Sequence, residues 1–139
     1  MIVVDASALF AALDEAEPKH EQVVMALASA ERPFVLSPFV LAELDYFLVR
    51  HLGVARELAF LSEVARGGYE LAGFDSEDVA RAHDVVVRYR DLRIGLTDAS
   101  IVVLADRYGT DRVLTLDERH FRALRTLDGR PFTLLPADA

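Results

Sequence analysis

The chain has no cysteine, and Lys19 is its only lysine. Without cysteine there is no disulfide framework, no thiolate nucleophile and no Cys-based zinc site. Long apolar runs are missing too: none approaches the roughly 20 residues that a membrane-spanning helix needs. The start, Met1-Ile2-Val3-Val4-Asp5, lacks a basic leader and stops being apolar at Asp5, so it does not read as a signal peptide. A cytoplasmic chain with no membrane attachment is the expectation. The 5 prolines and 7 glycines are scattered through the sequence rather than gathered into a linker. With no repeat or composition break either, residues 1–139 are read as one domain.

Positive charge is short overall, since the formal net charge is −8. That would argue against a nucleic-acid partner if charge were spread evenly. It is not. Residues 1–80 hold five basic and fourteen acidic side chains, whereas residues 81–139 hold ten and nine. The later half clusters arginine at Arg88, Arg90 and Arg93 and again at Arg119, Arg122 and Arg125. Arginine suits bidentate phosphate contacts, although the same residues also make ordinary solvated helix faces.

Hydrophobic residues make up 53% of the chain, enough for a substantial core. Their spacing predicts a strand at 2–4, a helix over 6–13 and a second helix opened by Pro18. A strand follows at 34–36, then a helix over 38–52 with Pro38 in its first turn, and another over 54–66. A strand is expected over 69–74 and a helix over 76–89. The remainder reads as a helix over 97–108, a strand at 113–115, a short helix over 118–124 and a strand at 132–134. Short apolar strands alternating with helices indicate an α/β fold with a mostly parallel sheet. Ligands of such sheets bind beyond the carboxyl ends of the strands.

Carboxylates recur at those ends. Asp5 follows the first strand, Glu43 lies in the second turn of the helix after the second, Asp98 opens the helix at 97, and Asp117 follows the strand at 113–115. Asp5, Asp98 and Asp117 all precede or begin helices, where they or the neighbours Ser7 and Thr97 could simply cap free amides. Glu43 and Asp45 lie at opposite edges of the Val40/Leu44/Phe47 stripe, and periodicity does not choose between them.

Four local strings occur in order along the chain: Asp5-Ala6-Ser7; Ser37-Pro38 running to Glu43-Leu44; Thr97-Asp98-Ala99; and Thr115-Leu116-Asp117 running to Phe121. Together they resemble the PIN-domain family, and within it the VapC-type toxins of bacterial toxin–antitoxin pairs. The resemblance implies a three-layer α/β/α sandwich and a metal-dependent endoribonuclease. It assigns Asp5, Glu43, Asp98 and Asp117 as the catalytic, metal-binding acids, with Ser7 and Thr97 as supporting residues and Mg²⁺ or Mn²⁺ as cofactor. It also implies an RNA substrate, a cognate antitoxin protein and a homodimer.

The donor chemistry points the same way. Carboxylates are hard oxygen donors suited to Mg²⁺ or Mn²⁺, and His20, His51, His83 and His120 form no zinc-ligand spacing. His120, beside Phe121, reads as a packed or surface residue rather than a base. A receiver or phosphatase-like domain also carries an acid at a strand end, but it needs a late lysine that this chain lacks. A non-catalytic PIN-like binding module and an RNA-processing nuclease that is not a toxin stand as the alternatives.

Overall fold

The computed structural model describes residues Met1–Ala139. In chain order the elements are β1 (Ile2–Val4), α1 (Ala6–Leu13), α2 (His20–Ser29), β2 (Phe34–Leu36), α3 (Pro38–Leu52) and α4 (Val54–Ala65). They continue with β3 (Glu70–Leu71), α5 (Ser76–Arg88), a 3₁₀ turn (Arg90–Leu92), α6 (Leu96–Tyr108), β4 (Arg112–Leu114), α7 (Glu118–Ala123) and β5 (Thr133–Leu135). No helix is long and apolar enough to cross a membrane.

All strand pairs are parallel, in the order β3-β2-β1-β4-β5. The chain builds outward from β1 to β3, returns to lay β4 on the free side of β1, and ends on β5. Strand order therefore reverses between β1 and β4, which makes their carboxyl ends the crevice of the sheet. Right-handed crossovers put the helices between β1 and β3 on one face and those from β3 to β5 on the other. β1 and β2 are buried along their whole length, as strands covered on both faces must be. Thirty-three buried apolar residues form one continuous core.

Helix α6 runs through the middle, with every residue from Ala99 to Ala105 buried. A helix that is apolar all round belongs inside, and Gly109, in the left-handed region at φ 67°, ends it. Ser37 caps α3 through a hydrogen bond from the Phe39 amide at 3.2 Å, with Pro38 in the first turn. The Ser37 hydroxyl also meets the Ser100 hydroxyl at 2.7 Å, fully buried, which ties the start of α3 to α6. On α5, Asp75 and Asp78 form a reciprocal capping box, and Asp78 pairs with Arg107 of α6.

Several boundaries differ from the sequence reading, most of them by one residue, and three have a local cause. The helix expected from Pro18 begins at His20, because Asp14 accepts from the Ala16 amide at 3.0 Å and starts successive turns over the intervening residues. The helix expected at Thr97 begins at Leu96, after Gly95 and without a side-chain cap. The strand expected over 69–74 is only Glu70–Leu71, both exposed. It is an edge strand, paired only with β2, and the capping box at Asp75 takes over soon after.

Candidate metal centre

The register of the central strands sets the site. Val4 stands beside Leu36 on one side and Leu114 on the other. The next residues are therefore level: Ser37, Asp5 and Thr115, exposed by 0%, 5% and 1%. Three apolar strands thus give way to polar side chains at one height, in the crevice between β1 and β4.

Asp5 has the backbone position of a cap for α1, yet its side chain makes no capping bond. Instead, Thr115 Oγ1 donates to Asp5 Oδ2 at 2.7 Å and Ser7 Oγ donates to the same oxygen at 2.9 Å. Both hydroxyls also act as acceptors. Ser7 Oγ takes the Leu116 amide at 3.0 Å, and Thr115 Oγ1 takes the Asp117 amide at 2.9 Å. The turn after β4 is thereby fastened to β1. Thr115 is a functional residue that sequence reasoning does not single out. Its signal is the Thr-x-Asp string, in which it reads only as a strand end.

Asp117 divides its oxygens. Oδ1 caps α7 by accepting from the His120 amide at 3.1 Å, while Oδ2 lies 3.2 Å from His120 Nδ1. Asp98, in the first turn of α6, brings its Oδ2 to 2.9 Å from the same nitrogen. One donor atom from each of Asp98, Asp117 and His120 falls within 4.8 Å of the others. The histidine expected to be a packing or surface residue therefore sits among the acids. Thr97 enters only through its carbonyl, which accepts from Ser100 Oγ at 2.6 Å.

Glu43 is exposed on α3 but is oriented toward the cluster. The partly desolvated surroundings raise its pKa first, and the charges of Asp5 and Asp98 raise it further. Asp45 faces elsewhere. Its buried Oδ1 has no hydrogen-bond partner, and its nearness to Glu57 of α4 raises the pKa of Glu57. The choice that periodicity leaves open is thus made by α4.

Burial pushes the Asp5 carboxyl up, against the hydrogen bonds of Thr115 and Ser7, and Asp117 adds to the rise. Asp98 is pushed up to about 6, by burial first and then by the charge of Asp5, with the His120 hydrogen bond opposing. Each of these acids destabilises the ionised form of another, as expected where negative charge is gathered without a compensating cation. A divalent ion would relieve that repulsion. The donors are carboxylate oxygens and one imidazole, with no thiolate, so the set fits Mg²⁺ or Mn²⁺.

A parallel five-stranded sheet with acids and a histidine collected at its switch point defines an α/β domain whose crevice could hold a cation. The chain belongs to the PIN-domain family, whose family model matches residues 2–127. It is 47% identical over 135 residues to Ribonuclease VapC26 of Mycobacterium tuberculosis, covering 97% of this chain and all of that protein. Among solved structures it resembles VapC20 of M. tuberculosis, described as a Sarcin-Ricin loop cleaving toxin. The TM-score there is 0.78 at 20% identity, covering 84% of this chain and 90% of that one. It also resembles VapBC2 of Rickettsia felis bound to a DNA fragment from its promoter. That match has a TM-score of 0.68 at 16% identity and covers 96% of this chain and 98% of that one.

Proposed function

We propose that the chain is a divalent-metal-dependent endoribonuclease acting as the toxin of a type II toxin–antitoxin pair in the cytoplasm, with residues 1–139 working as one nuclease domain. One observation carries this reading. Asp5, Glu43, Asp98 and Asp117 come from four separate segments, and negative charge among them helps raise the pKa of Asp5, Glu43 and Asp98 at the switch point of the sheet. The close likeness to a ribonuclease over nearly the whole chain supports RNA as the substrate.

Asp5, Glu43, Asp98 and Asp117 would hold Mg²⁺ or Mn²⁺. When bound, the ion supplies Lewis acidity toward the scissile phosphate and toward an attacking water. The chain's own residues prepare the place. Ser7 and Thr115 fix the Asp5 carboxylate, the hydrogen bond from the Asp117 amide to Thr115 Oγ1 fixes the turn, and the Ser37–Ser100 contact holds α3 and α6 together at their starts. Arg93 and Arg119 stand closest in sequence to the acids: Arg93 ends the 3₁₀ turn two residues before Gly95, at φ 53°, and Arg119 adjoins His120. Arg88, Arg90, Arg93 and Arg119 are all exposed. None of them shares an ion pair, unlike Arg107, Arg122 and Arg130. That leaves them available to RNA phosphates.

The antitoxin and a second copy of the chain would use the apolar surface of α2 to α4. Met25 is 71% exposed there and Leu58 59%, with Tyr46 and Val54 also open. The test is cleavage of total cellular RNA by wild type and by Asp98→Asn, with and without EDTA. Cutting that EDTA and the substitution each abolish is expected. Undiminished cutting by the variant or in EDTA would refute the mechanism.

A further inference from the structure

His120 is left over once the acids are assigned, and its position is specific. Nδ1 lies 2.9 Å from Asp98 Oδ2 and 3.2 Å from Asp117 Oδ2. Donors in adjacent positions around a six-coordinate ion with bonds of about 2.1 Å stand about 3.0 Å apart. The imidazole nitrogen already keeps about that spacing from each of the two carboxylates. The backbone of His120 is fixed as well, because the Asp117 oxygen that caps α7 accepts from its amide. The other histidines are committed elsewhere: His20 to the Ala11 carbonyl, His51 against Phe10 and Phe47, and His83 to Asp84.

We propose that His120 is a nitrogen ligand of the site and sets a preference for Mn²⁺ over Mg²⁺. This rests on the reading of the acids as a cation site. Mg²⁺ favours oxygen donors and gains little from imidazole, whereas Mn²⁺ accepts it. If the ring were only a counter-ion to Asp98 and Asp117, an arriving cation would have to evict it. Its removal would then tighten both ions alike.

Pulsed EPR of the Mn²⁺-loaded wild-type protein reads the contact directly, as a ¹⁴N coupling from a ligated imidazole. Calorimetric titration with Mn²⁺ and with Mg²⁺ reads its effect. In His120→Asn the side-chain amide nitrogen can still donate to the Asp98 carboxylate, so the fold is kept, while the amide offers a metal only its oxygen. The coupling should vanish, Mn²⁺ affinity should fall about tenfold and Mg²⁺ affinity should change by less than about threefold. His120→Ala should lose the coupling as well. A wild-type spectrum without the ¹⁴N coupling overturns the proposal, as does an unchanged ratio of the two affinities in His120→Asn. If Asp98→Asn abolishes binding while that ratio holds, the assignment of His120 alone fails. If wild type takes up neither ion, the cation-site reading fails with it.

Discussion

Replacing Asp98 by asparagine in the metal-free protein separates the repulsion within the site from any structural duty of that residue. The folded chain raises Asp98 from the ordinary 3.8 to about 6. Between about pH 4 and pH 6 the native state therefore binds more protons at this residue than the unfolded state does. Its stability falls as pH rises through that window and stays low above it. The rise is worth about 3 kcal/mol at neutral pH. That figure is an upper bound, because Asp5 and Glu43 share the same repulsion. The asparagine keeps an oxygen for His120 Nδ1–H, now at 2.9 Å from Asp98, and cannot ionise. In EDTA at pH 7.5 the variant should be about 2–3 kcal/mol more stable than wild type, which raises Tm by roughly 5–10 °C. Urea denaturation at pH 7.5 and again near pH 4 checks it: the advantage should shrink toward nothing at the lower pH, where wild-type Asp98 is itself protonated. A variant no more stable than wild type at pH 7.5 would refute the account of Asp98 as one member of a strained acidic group.

Asp117→Asn keeps an oxygen to cap α7 and removes a charge that repels Asp5 and Asp98, so it should be at least as stable as wild type, and Asp117→Ala should be about 1 kcal/mol less stable than Asp117→Asn; thermal melts in EDTA distinguish them, and equal melts for the two variants would show that the cap carries no weight. Thr115→Val leaves the Asp117 amide without its acceptor and removes a donor from Asp5, at a cost of about 1–3 kcal/mol, measurable by urea denaturation; an unchanged midpoint would refute its fastening role. Arg93→Gln with Arg119→Gln should weaken RNA binding and reduce the salt slope by about one for each phosphate no longer neutralised. Filter binding at several salt concentrations that gives parallel lines would show that these arginines face solvent only.

The order of strands and helices was legible because each buried strand is a short apolar run bounded by a breaker, and α3 carries its own start in Ser37-Pro38. The edge strand β3 was legible as a strand but not in its length, since only Glu70 and Leu71 pair with β2 and nothing in the apolar run up to Phe74 shows where that pairing stops. The acids were legible as positions but not as roles. An aspartate before a helix looks the same whether it caps or not. Asp5 turns its oxygen to Ser7 and Thr115, while Asp117 does both jobs with separate oxygens. Glu43 and Asp45 were separated by Glu57, twelve residues beyond Asp45 on another helix. His120 needed Asp98, 22 residues away, to show what it faces.

The central pairing of β1 with β4 has a consequence for how such an enzyme is made. Asp5 is made 110 residues before Thr115, which orients it, and Asp117 comes later still. Closing that loop comes late in folding because long-range parallel pairing must wait for both strands. The RNA-cutting centre proposed here therefore does not exist on a nascent fragment that stops short of Thr115 and Asp117. A ribosome translating this message is spared that centre until those two residues have been made and have folded onto β1.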